Sequence, residues 1–171
     1  RRVNSGDNEF NSKSYKLVND IDLLDFDWVT IGTGKLSQKT SQGVPLLAVG
    51  IQPFLGSFNG NGYKVTNLKI ISGDVVGVFG IVSGDKARLE NIILVSPDIS
   101  AGKCVGGIVG YVAYGGTVSK SSFLGGEICG SSYVGGLVGI NSHHSKVEHS
   151  NSSTDLYTTD TPSKKILLGG L

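Results

Sequence analysis

Helix-favouring residues are scarce in this 171-residue chain, where four alanines and no methionine stand against 18 valines and 13 isoleucines. Unbranched residues and Ala favour helices, whereas β-branched residues suit strands, so a helical bundle is a poor reading. Charge is also thin: 17% of residues are charged and the formal net charge is +1. That excludes a broad basic surface for nucleic acid and an acidic disordered tail. No apolar run approaches the ~20 residues of a membrane helix, and no apolar signal-peptide core follows Arg1-Arg2. The missing Met and the apolar finish at Ile166–Leu171 lead us to expect a piece of a longer polypeptide. Two cysteines, Cys104 and Cys129, are too few for a stapled mini-domain and too far apart for a Cys-x-x-Cys metal pair.

What is present is glycine, 26 residues against a usual ~7% of a chain, and repetition. Val76-Gly-Val-Phe-Gly80 recurs as Gly106-Gly-Ile-Val-Gly110 and Gly135-Gly-Leu-Val-Gly139. Val65–Ile70 matches Leu89–Leu94 after 24 residues, then Val118–Phe123 and Val147–Ser152 follow at steps of 29. Asp98-Ile99 and Glu127-Ile128 keep the same 29-residue step. Each repeat holds short runs with apolar residues on alternate positions, divided by Gly, Ser, Asn and Asp, which are strand and turn signals.

A period of 24–30 residues without a helical stretch predicts an all-β, right-handed parallel β-helix of about five coils, in one domain over 1–171. Ile99 is expected beneath Ile128, Gly107 beneath Gly136 and Val109 beneath Val138. Residues 33–45 and 150–165 are expected to be polar excursions. A sandwich with regular turns is the rival fold.

Tyr15-Lys-Leu-Val-Asn-Asp-Ile-Asp-Leu23, Trp28–Gly32 and Pro53–Gly62, with the three glycine motifs, resemble bacterial surface proteins carrying GLUG repeats. The resemblance covers 15–32 and 53–139 and fits 140–171 loosely. It implies a secreted or surface-attached β-helical segment, of the kind found in adhesin-like proteins and beside immunoglobulin-A peptidase domains. The chain lacks the His-Glu-x-x-His such a metallopeptidase needs, so no proteolytic role carries over.

Several residue groups could carry chemistry. His143, His144, Lys146, Glu148 and His149 offer imidazoles and a carboxylate for a transition metal, though a solvated loop is the default. Asp20, Asp22, Asp25 and Asp27 could attract a cation or supply an acid/base pair; an outward polar face is the plainer account. Gly60-Asn-Gly62 superficially resembles a phosphate loop, but it leads into a strand and reads as a turn. Tyr111, Tyr114 and Tyr133 near the glycine motifs, with Tyr63 and Tyr157 farther off, could form a carbohydrate platform or simply pack. The 29-residue step puts Cys129 over Ser100 and Tyr133 over Cys104, which favours two free thiols.

No catalytic, metal or cofactor site is therefore assigned. The expectation is a non-catalytic extracellular or cell-surface module that meets a glycan, a surface protein or a neighbouring copy, with neither nucleic acid binding nor membrane insertion. The alternatives are a carbohydrate-active enzyme, for which Asp20, Asp22, Arg88, Asp98, Lys103 and Glu127 would have to gather in one cleft, and a subunit stacked end to end.

Overall fold

The computed structural model describes residues 3–5, 8–39, 45–47, 52–159 and 167–169. After a short helical lead-in (Val3–Ser5, Asn8–Asn11), the chain winds as a parallel β-solenoid. Its first wall stacks Ser14–Lys16, Ser57–Asn59, Arg88–Glu90, Thr117–Ser119 and Lys146–Glu148, all parallel and in register. Five such rungs mean about four turns.

The second and third walls belong to one sheet. Ile21–Asp22, Lys64–Thr66, Ile93–Val95 and the first half of Ser122–Gly130 form one wall; Lys69–Ile70, Asp98–Ser100 and the second half of that long strand form the next. The fourth wall stacks Val75–Val76, Cys104–Gly106, Tyr133–Gly135 and Leu167–Gly169, and the fifth stacks Phe79–Ser83, Val109–Ala113 and Val138–Asn141.

Strand alternation turns one residue in two inward, so in-register stacking makes interior columns. One column runs Ile21, Val65, Leu94, Phe123, Ser152; another runs Ile70, Ile99, Ile128, Leu156. Leu94, Phe123 and Ile128 are fully buried and Ile99 nearly so. Each such side chain contributes roughly 1.5–3 kcal/mol through removal from water. Ile99 over Ile128 and Val109 over Val138 agree with the 29-residue step, and the Gly107 amide donates to the Gly136 carbonyl.

The 24-residue match is corrected. Val65 pairs with Leu94, and Leu89 with Phe58, so the wall that looked alike was the neighbouring one. Asn67 and Asn91 both take left-handed φ (57° and 53°) at corners, and it is this shared corner chemistry that makes the two walls read alike. The excursion expected over 150–165 is also corrected within the described residues. Asn151–Thr158 is a strand on Ser122–Gly130, with Ser152, Thr154 and Leu156 the less exposed residues of its alternation. Residues 160–165 of that expectation lie outside the described residues. The earlier excursion is present as an antiparallel pair, Leu36–Lys39 with Pro45–Leu47, closed by Thr33 opposite Gln52; residues 40–44 lie outside the description.

Candidate binding surfaces

The glycine motifs line a place where the fourth and fifth walls fold face to face. Val109–Ala113 is buried on both sides, one side in the main core and the other in a small second core of Val75, Ile81, Cys104, Tyr111, Ala113 and Ile140. A Cβ on Gly106 would lie 2.1 Å from the Val109 carbonyl oxygen, and one on Gly107 would lie 2.1 Å from a Phe123 ring carbon. Gly106 and Gly107 have ordinary φ, so their role is close approach; the left-handed corners fall to other glycines, such as Gly62 and Gly115, and to Asn, Ser, Tyr, Lys and His residues.

Cys104 closes this double wall, its thiol donating to the Gly110 carbonyl at 2.8 Å. Complete burial pushes the thiol far up, so it stays protonated and inert. Cys129 is half-buried, opposite Ser100, and both thiols are free.

Of the tyrosines, Tyr111 is 1% exposed and belongs to the second core, which removes it from any platform. Its phenol is shifted up by that burial. Tyr133 is half-buried over Cys104. Tyr114 remains exposed and stacks on His143 of the next coil, ring centroids 4.5 Å apart. The stack is held at a corner where the Gly115 amide donates to the His143 carbonyl, and Ser142 Oγ lies 2.6 Å from His143 Nδ1. His149 stands at the following corner, across Lys146–Glu148, so the three imidazoles do not converge. Among the described residues no group of three ligand-type side chains is placed to hold a metal.

The carboxylates are distributed. Asp20 Oδ1 accepts the Lys64 amide, and Asp22 Oδ1 accepts from the Leu24 amide and Asn67 Nδ2. The Asn67 bond, then the Leu24 amide, holds the Asp22 carboxyl below its ordinary range. Asp98, bridged to Lys69 at 3.6 Å, stacks beside Glu127 on the exposed side of the third wall. Arg88 lies on the first wall, and Lys103 pairs with Asp74 at 3.8 Å on the fourth. Gly60-Asn-Gly62 is a tight turn in which the Tyr63 amide donates to the Gly60 carbonyl.

A feature not anticipated from the sequence lies in coil one. Asp22 pairs with Thr66 and Ile31 with Phe79, so coil one covers in nine residues the path for which coil two uses thirteen. It cuts the corner. Lys69–Ile70 and Val75–Val76 are consequently terminal strands of their sheets, paired on one edge only among the described residues. Beside them opens a groove of about 280 Å³, lined by Trp28, Val29, Thr30, Ser72, Val75 and Val76 among others. Val29 in its lining is exposed, as are Leu24, Phe26 and Ile71 in the chain segments that lead to it. The shortfall of four residues was legible as spacing, had the walls been assigned correctly.

Residues 130–157, one full turn including Gly135-Gly-Leu-Val-Gly139, match the family model described as the GLUG motif. Halomucin of Haloquadratum walsbyi is 36% identical over 109 residues, a stretch that takes 60% of this chain and 1% of halomucin. The crystal structure of a Bacteroides ovatus protein, provisionally named an immunoglobulin A1 protease, superposes with a TM-score of 0.63. That alignment covers 84% of this chain and 42% of the other at 23% identity, and it bears on the fold alone. Within the GLUG match, Gly139 lies at the close contact of the fourth and fifth walls, where a Cβ would stand 2.7 Å from the Gly110 carbonyl oxygen. Among the described residues no helix is long and apolar enough to cross a membrane.

Proposed function

We propose that this segment is a non-catalytic, stiff module of an extracellular or cell-surface protein, presenting its corners and loops to a partner. The observation that carries the reading is the dispersal of its charged groups. The six candidate residues are spread over four walls, Asp20 and Asp22 on the second, Arg88 on the first, Asp98 beside Glu127 on the third and Lys103 on the fourth, whereas a hydrolase or lyase needs its whole catalytic set gathered around one bond. Likeness to a small fraction of a very long mucin-named protein supports a role as one building unit among many. Incubation with a panel of polysaccharides, followed by reducing-end and unsaturated-sugar assays, is expected to give no turnover; sustained product release would overturn the reading. Protease treatment of intact cells making the parent protein should release peptides of this segment, and their protection until lysis would count against surface exposure.

The Tyr114–His143 stack favours a glycan as one partner, because a sugar's C–H face packs on exposed rings beside polar groups. A glycan array read with the native chain and with Tyr114→Ala should show a signal that the substitution removes. An unchanged signal would locate binding elsewhere.

A further inference from the structure

Resting on the glycan reading above, we propose that the Tyr114 corner takes a neutral sugar by two adjacent hydroxyls, with Asp85 as their acceptor and the Tyr114 ring as the platform. Three observations meet at this corner, where the fifth wall turns into the first. The first is a shelf. Ser83 pairs with Ala113, which sets Gly84 of coil two at the level below Tyr114. One face of the Tyr114 ring is stacked on His143 of coil four, so its other face is turned toward coil two. A side chain in coil two would continue the stack, but the residue there is Gly84, where an added Cβ would meet nothing within 4 Å. Tyr114 is correspondingly exposed.

The second is a carboxylate held at that shelf. Coil two turns the corner through residues 84–87, whereas coil three uses only 114–116. The shorter turn lets Asp85 rise against the backbone beside Tyr114, and a Cβ on Gly115 would collide with Asp85 Oδ1. The third is that this carboxylate is unused. Asp85 is exposed, and among the described residues it makes neither a hydrogen bond nor an ion pair. Asp20 and Asp22, by contrast, accept backbone amides, and Asp74 and Asp98 face lysines. An ionised carboxylate accepts from two donors at once, and charge-assisted bonds are the stronger kind. A pyranose offers such a pair in neighbouring hydroxyls, while its C–H face packs on the ring. The same ion repels a uronate or sulfate placed on the shelf, which selects neutral sugars. Lys86 and His144 are exposed at the same corner, and an acidic glycan would compete through them.

The test uses the whole chain, isotope-labelled for amide NMR and titrated with maltose, lactose, cellobiose and mannobiose, with digalacturonate as the acidic probe. The amides of Gly84, Asp85, Tyr114 and Gly115 should shift with at least one neutral disaccharide. Asp85→Asn should weaken that binding about tenfold; Tyr114→Ala should abolish it and Tyr114→Phe should keep it. Both positions are exposed, so the fold is retained, and unchanged amide spectra away from the corner verify it. Periodate, which cleaves vicinal diols, should leave the disaccharide unable to bind. Tighter binding of digalacturonate, equal binding after periodate, or shifts confined to other walls overturns the proposal. Binding that Tyr114→Ala removes but Asp85→Asn leaves untouched overturns the role of Asp85 while the glycan reading stands. Silence of these amides with every neutral disaccharide also overturns it; a Tyr114-dependent signal on the glycan array would still uphold the broader reading.

Discussion

Coils three and four obey one rule, and coil one departs from it. In coil three every wall has a neighbour above and below, the step to coil four is 29 residues, and the interior columns are mostly aliphatic. Coil one keeps the first two walls, skips strands over the third and fourth, and detours through the 33–52 hairpin. The join of coils one and two is filled by rings: Phe54 and Phe79 lie 5.1 Å apart, Phe58 and Phe79 5.3 Å, with Tyr15 6.1 Å from Phe54. Strict periodicity therefore maximises burial, and its relaxation leaves apolar side chains such as Leu24, Phe26 and Val29 exposed.

The largest contrast is expected along a single column. Phe123→Ala should cost about 3–5 kcal/mol, since its site is closed on all sides, whereas Ile21→Ala, half-buried at the column's start, should cost under about 2 kcal/mol. Urea unfolding of both variants measures the difference; equal costs would erase the distinction between the coils. Next, Gly107→Ala drives a methyl onto the Phe123 ring and within 2.6 Å of the Gly136 carbonyl, and should cost about 1–3 kcal/mol. Gly62→Ala meets open space and should cost about 1 kcal/mol or less from its positive φ alone.

A comparable loss is expected at the corner spine. The fully buried Ser121 hydroxyl accepts the Ile92 amide at 3.2 Å and donates to the Ser119 carbonyl at 2.8 Å. Ser121→Ala leaves that amide unpaired and should cost about 1–2 kcal/mol by thermal melting.

The smallest effect belongs to the exposed turn at Asp22. Its carboxyl titrates lower folded than unfolded, so its contribution is present above about pH 4 and is lost as pH falls through the folded value. Fluorescence of Trp28, the one tryptophan, should report this loosening on acidification, and Asp22→Asn should flatten the response.

The repeating middle was legible because Ile99 and Ile128, or Val118 and Val147, announce their stacking as the same residue at a fixed step. The first coil was not. Val65-Thr-Asn and Leu89-Glu-Asn share an apolar residue two before a left-handed Asn, which marks a corner without saying which. Whether Tyr111 packs or joins a platform was open in the sequence because a strand buried on both faces shows no alternation, and only the contact between two walls reveals the second core. The Asn151–Thr158 strand was hidden by its polar composition: Ser152 and Thr154 are only partly exposed and mimic loop residues. The candidate groove was invisible for the opposite reason, since it is made by residues that are missing from a coil.

In-register stacking also sets how such a protein changes size. Every wall of one coil bonds to its immediate neighbours alone, and each coil raises the chain by about 4.8 Å. A duplicated or deleted block of 29 residues would leave all remaining columns aligned, whereas a block of 15 would slide each wall under the wrong partner. Reach above a surface is thus adjustable only in whole rungs, which makes a gene of this kind a ruler with fixed graduations.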